Sequence, residues 1–175
     1  MAVRPVLRLG DPRLRCRSAP VEHFDTPELH ALVSDLRDTM AACDGAGLAA
    51  PQIGVPLRVV IYGITANPRY PEAPPIPETV LVNPLLTPLG EEEQLGWEGC
   101  LSVPGLRGEV RRWRRLLIEA FGPGGQPIER EVEGFHARVV QHECDHLDGL
   151  LFPDRLVSTQ RFGFSVELRA AGLIP

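Results

Sequence analysis

The chemistry most legible in this chain lies in Gln141-His142-Glu143-Cys144-Asp145-His146, where two histidines four residues apart bracket a glutamate. On a helix that spacing puts both imidazoles on one face, where they can share one metal ion. The glutamate is placed beside such an ion rather than on it, where it can take a proton from a water and return it. Two buried, hydrogen-bonded histidines with a surface glutamate would produce the same pattern. A catalytic metal needs a third protein ligand and an open position. The extended pattern with a third histidine fails here: Gly149 matches its glycine, but residue 152 is Phe152. Two residues remain as third ligand. One is Glu167. The other is Cys100, 42 positions before His142 in the stretch Gly96-Trp97-Glu98-Gly99-Cys100-Leu101-Ser102-Val103-Pro104-Gly105, and its thiolate is the softer donor.

A helix has to carry the histidines, and the pattern supplies one from Gly134 to Leu147. At about 100° per residue, Phe135, Val139, His142 and His146 fall on one stripe. Ala137, Val140, Cys144 and Leu147 form a second apolar stripe, and Arg138, Gln141, Asp145 and Asp148 form a polar side. The histidines thus share their stripe with apolar neighbours, as at the floor of a cleft. Cys144 points away from His142 and reads as a core thiol. Around Cys100 the glycines are turn formers, so exposed, turning backbone is expected there.

Another helix is signalled by Thr26-Pro27-Glu28, which reads as an N-cap, a proline at the first helical position and an acid in the first turn. Leu29, Leu32, Val33, Leu36 and Met40 follow at helical spacing, with an end near Gly45. The β-branched run from Arg58 to Ile64 reads as a strand, residues 66 to 78 with five prolines as a loop, and Thr79 to Asn83 as a further strand. Residues 105 to 133 read as strands with turns, one strand running from Arg115 to Phe121 into a hairpin turn at Gly122-Pro123-Gly124-Gly125. The first 24 residues are expected as extended chain and turns, and past Pro153 only a short helix or coil is legible. Without repeats or a linker, residues 1 to 175 are expected to form one domain.

An apolar content of 43% with 23% charged residues excludes wholesale disorder, and 175 residues suffice for one buried core. The net charge of -5 gives no global attraction to DNA or to an anionic membrane. The opening residues lack an apolar signal segment and no apolar run reaches membrane-spanning length, so a cytoplasmic location is expected. Cys16, Cys43, Cys100 and Cys144 then read as free thiols, one of them available to a metal. Arg107, Arg111, Arg112, Arg114 and Arg115 cluster around Trp113. Such a run reads as a solvated strand edge protected by charge, with contact to ribosomal RNA as the alternative.

The stretch Gly45-Ala46-Gly47-Leu48-Ala49-Ala50-Pro51-Gln52 follows the first helix, and its small residues let backbone approach a ligand closely. Alone it reads equally as a helix C-cap and tight turn. Together with Glu98-Gly99-Cys100-Leu101-Ser102 and Gln141 to His146, in that order, it resembles the three motifs of the peptide deformylases. The likeness extends over most of residues 1 to 157, including Asp11-Pro12-Arg13-Leu14-Arg15. The resemblance implies an α+β fold in which antiparallel sheets cradle a central metal-binding helix. It implies removal of the formyl group from the N-terminal formylmethionine of newly made chains, with release of formate. By the same resemblance Cys100, His142 and His146 hold one divalent metal, natively Fe2+, with Ni2+, Co2+ or Zn2+ as replacements, although geometry alone suggests zinc. Glu143 is then the general acid and base, and Gln52 with the Leu101 backbone N–H forms the oxyanion hole. Gly47, Glu98 and Gly99 line the substrate strand, Phe135 and Val139 wall a methionine pocket, and Arg107 lies near the substrate mouth. The implied partners are nascent formylated polypeptides and, transiently, the ribosome surface near the exit site.

Three features depart from the commonest bacterial pattern of that family. The Pro-rich stretch 65 to 78 is an insertion closer to its organellar-type branch. The tail carries Arg155, Arg161 and Arg169 rather than a basic helix, and Ala46 is smaller than the usual Ile or Val, which widens the cleft. Two other classes stay open: a metallopeptidase using His142, His146 and Glu167, and a non-catalytic metal protein that binds peptide or ribosome. Glu143 argues against the second, because a structural site has no use for a base.

Overall fold

Thr26 starts the first helix, α1 (Pro27–Ala42): its hydroxyl accepts the Leu29 N–H at 3.2 Å, and Pro27 sits where no N–H is needed. The computed structural model describes residues 2–65 and 73–174. The apolar stripe of α1, Leu29 to Met40, is buried against Val59, Ile61 and Val82 of the sheet behind it. Its flank ties down the N-terminal segment. Asp35 accepts from the Ala2 N–H at 3.0 Å and Arg4 Nε at 2.7 Å, and Thr39 Oγ1 accepts the Arg4 N–H at 2.9 Å.

The architecture is α+β. The larger antiparallel sheet has the order β1 (Gly47–Ala49), β2 (Val59–Ile64), β3 (Ile76–Pro88), β6 (Arg115–Phe121), β7 (Pro127–Glu133). The smaller one has the order β4 (Glu93–Cys100), β5 (Val103–Trp113), β8 (Phe162–Phe164). Helix α2 (Gly134–Leu147) packs against both sheets, and a short helix α3 (Ser165–Ala170) follows β8. The second apolar stripe of α2 meets Val60, Tyr62, Leu81, Leu116 and Ile118 in the main core. Alternation along β6 places Leu116, Ile118 and Ala120 in that core, and the glycine turn after it closes with the Gly122 N–H donating to Gln126 O at 2.8 Å.

Several expectations need correction. The strand expected at Thr79 to Asn83 runs from Ile76 to Pro88, so the expected loop ends before Ile76; residues 66–72, half of the insertion, lie outside the described residues. Ile76 pairs with Ile64, and Pro77 is tolerated because pairing with β6 begins only at Val82. The stretch up to Cys100 is a strand rather than a turn: its ladder with β5 overrides the local preference of Gly96 and Gly99. The basic run on β5 is not uniformly solvated. Arg107 and Arg112 are buried, while Arg111, Arg114 and Arg115 reach solvent beside Glu93, Glu92 and Glu131. The tail contains β8, three residues long and therefore without a readable period. No helix among the described residues is long and apolar enough to cross a membrane.

Candidate metal centre and cleft

Helix α2 presents His142 and His146 with ring centroids 5.2 Å apart, and β4 ends on Cys100 opposite them. The β4–β5 ladder shifts register between Glu98 and Cys100, an irregularity that re-aims the side chain at the strand's end. Cys100 Sγ lies 3.3 Å from His146 Nε2, and the ligand atoms of Cys100, His142 and His146 all lie within 4.8 Å of one another. Glu167 is exposed on α3 and does not belong to this group. Cys144 sits in the main core on the other side of α2, where burial pushes its thiol up.

A buried ionic network backs the ligands. His142 Nδ1 donates to Glu98 Oε2 at 2.8 Å, which leaves the Nε2 lone pair for a metal. Glu98 is 3% exposed, and its carboxylate also accepts Arg112 Nε, Arg112 Nη2 and Arg138 Nη1, each at 2.9 Å. Arg112 donates in turn to Asp145 at 2.6 Å, and Arg155 grips the same carboxylate through two nitrogens at 2.7 Å. Burial alone would raise the Glu98 carboxyl. The Arg112 charge and the bonds from His142 and Arg112 outweigh it and hold Glu98 well below the usual carboxylate range. The polar side of α2 expected from its spacing therefore faces protein, with Arg138, Gln141 and Asp145 buried.

The donor set fits a divalent ion. Burial would raise the Cys100 thiol, but the facing His146 and His142 hold it well below its ordinary value, favouring the thiolate. Burial would lower His142, but Cys100 and Glu98 beside it raise it well above its ordinary value. One thiolate and two imidazoles suit zinc, iron, cobalt or nickel.

Glu143 lies beside the ligands, where burial pushes its carboxyl up to about 7. Its Oε2, like His146 Nδ1, is buried with no hydrogen-bond partner among the described residues. A Cβ on Gly47 would collide with the Glu143 carboxylate, so the close approach of β1 requires glycine. Gln52 Oε1 accepts the Ala49 N–H at 2.8 Å, which orients the amide. Its Nε2 then donates to Ser102 Oγ at 3.1 Å and faces Cys100 Sγ at 3.5 Å.

These groups open onto a cleft of about 450 Å³ of empty space. Gly47, Gln52, Glu98, Gly99, Cys100, Leu101, Phe135, Val139, His142 and Glu143 all line it, with Ala46 at its side. His146 completes the ligand group behind that wall. Arg107 does not line the cleft: it is buried on β5 opposite Gly163 of β8. Two cleft residues were not anticipated. Trp97, with Arg161 4.8 Å over its ring, adjoins the Glu98 motif directly. Arg138 precedes His142 by one helical turn, a spacing that could have revealed it.

Comparison with known proteins agrees with this geometry. The family described as polypeptide deformylase matches residues 3–162. Peptide deformylase 1 of Prochlorococcus marinus (strain MIT 9313) is 58% identical over 175 residues, 99% of this chain and 91% of that protein. Peptide deformylase 1 of Bordetella pertussis (strain Tohama I) is 57% identical over 166 residues, covering 95% of this chain and 94% of its own. Among solved structures, a Met-Ala-Ser-bound class I type b peptide deformylase from Acinetobacter baumannii superposes with a TM-score of 0.85 at 40% identity, over 89% of this chain and 99% of that one. The chain belongs to the polypeptide deformylase family.

Proposed function

We propose that Cys100, His142 and His146 hold one divalent metal ion, natively ferrous iron, beside a cleft that takes the formylated start of a newly made chain. The reaction is that of the family: hydrolysis of the N-formyl group from N-terminal formylmethionine, with release of formate. The observation that carries the assignment of roles is the meeting of three ligand atoms with the partnerless Glu143 Oε2 at one cleft. A metal held there would acidify a water and polarise the formyl carbonyl. Glu143 takes the proton of the attacking water and delivers it to the leaving amine. The Gln52 amide, held by Ala49 and Ser102, and the Leu101 backbone N–H donate to the carbonyl oxygen as its charge grows. Loss of one such donor typically costs about 3 kcal/mol of transition-state stabilisation.

Gly47 and Gly99 lie on β1 and β4, the end strands of the two sheets, and their bare backbone leaves room for an extended chain between them. Phe135 and Val139 offer an apolar slot for the methionine side chain, in keeping with the Met-Ala-Ser peptide bound to the Acinetobacter relative. Residues 1 to 175 act as one catalytic unit, working in the cytoplasm where such chains are made. Contact with the ribosome surface near the exit site would be transient. Arg111 on β5, Arg115 on β6 and Arg114 between the two strands already face glutamates. A metallopeptidase would need Glu167, which stands apart from the ligand group. Formate release from formyl-Met-Ala-Ser by the iron-loaded protein, assayed without oxygen, tests the assignment.

A further inference from the structure

Arg138 is a charged side chain in the wall of the slot formed by Phe135 and Val139, and it is only 8% exposed. A guanidinium does not lose its proton, so burying it requires acceptors on its donors. Nη2 donates to Gln94 O at 2.7 Å, and Nη1 reaches Glu98 Oε1 at 2.9 Å, Val110 O at 3.1 Å and Gly96 O at 3.3 Å. Its backbone belongs to α2, while these acceptors belong to β4 and β5. One side chain therefore crosses from the ligand-bearing helix to the strand that forms the facing wall. Gly96 gives it room: a Cβ there would lie 2.8 Å from Arg138 Cζ and 2.9 Å from Nη2. Gly96 is not among the glycines with positive φ, so its backbone conformation does not require glycine.

We propose that Arg138 is a specificity-determining positioning residue, clasping β4 to α2 and so fixing the width of the slot that receives the first side chain of the substrate. The proposal rests on the deformylase assignment. A long unbranched side chain gains its binding by filling a slot of fixed width, and a gap below an ångström already forfeits much of each dispersion contact. A short side chain makes few of those contacts and has little to lose. The same guanidinium also holds Glu98, whose other oxygen orients His142, so loosening it slows every substrate. Discrimination between side chains separates the two effects, because a purely structural or rate-only role leaves the ratio unmoved.

The test compares kcat/KM for formyl-Met-Ala-Ser and formyl-Ala-Ala-Ser in the metal-loaded wild type, Arg138→Met and Gly96→Ala, with melting temperature and metal content measured alongside. Arg138→Met keeps an unbranched stem and removes the fork. Gly96→Ala keeps the fork and pushes it off its acceptors, and decides the matter if Arg138→Met does not fold. The methionine-over-alanine ratio is expected to fall about tenfold or more in both, beyond any common loss of kcat. A ratio within about twofold of wild type, even with a lower melting temperature, overturns the proposal. A wild type that releases formate from neither peptide overturns the deformylase assignment itself, and this proposal with it.

Discussion

On the proposed assignment Cys100 decides whether the site holds an ion, because its thiolate would be the one anionic donor among Cys100, His142 and His146. Replacing it by Ser puts a neutral, harder oxygen at that corner. Elemental analysis of Cys100→Ser is expected to show near-complete loss of metal, while Glu167→Gln keeps a full complement; the reverse pattern would reinstate the peptidase ligand set. Glu98 acts one step further back. Glu98→Gln can no longer match the charges of Arg112 and Arg138 or offer His142 Nδ1 a carboxylate acceptor, and metal affinity measured by chelator competition is expected to fall about 10- to 100-fold. Unchanged affinity would show that His142 needs no carboxylate to hold its orientation. Cys100 and the two histidines could be read from residue type and spacing. The task of Glu98 could not, because it is set by arginines 14 and 40 positions away in sequence.

Among the elements, the two long helices were readable because each carries its own period, and α1 its own start as well. Thr26 and Pro27 open α1, and the histidine stripe of α2 continues an apolar one. Strand β4 was hidden, since its Gly96 serves the close approach of Arg138 rather than a turn. The N-terminal segment, without periodicity, is held by side chains of α1, and that clamp has a pH signature. The bond from Arg4, with the Ala2 N–H adding to it against the opposing effect of burial, holds the Asp35 carboxyl below its usual range. A folded value below the unfolded one means stability that is present above the ordinary carboxylate range and lost as pH falls through the depressed value. Asp35→Asn is therefore expected to melt below wild type at neutral pH, the two converging in acid. A gap that stays constant with pH would contradict the clamp.

At the scale of the whole molecule, two antiparallel sheets present their end strands β1 and β4 across the ligand helix, an arrangement no local pattern announces. The family motifs pointed to the fold because each supplies one wall of the cleft. With a net charge of -5 and Arg111, Arg114 and Arg115 opposite glutamates, this face offers little to phosphate. Neutralising Arg111, Arg114 and Arg115 together, while leaving the buried Arg112 intact, is expected to leave ribosome affinity unchanged at low salt; a marked loss would make β5 and β6 an RNA contact. On the proposed reading this cleft removes formyl groups with a metal held by Cys100, His142 and His146 and a proton carried by Glu143. Anaerobic formate release from formyl-Met-Ala-Ser, measured with metal content on wild type and Glu143→Gln, tests it most directly. The expected result is turnover by the iron-loaded wild type, and a loss of about 100-fold or more in Glu143→Gln with its metal still bound. Failure of the wild type to release formate with iron, nickel or cobalt, or full activity in Glu143→Gln, would contradict it.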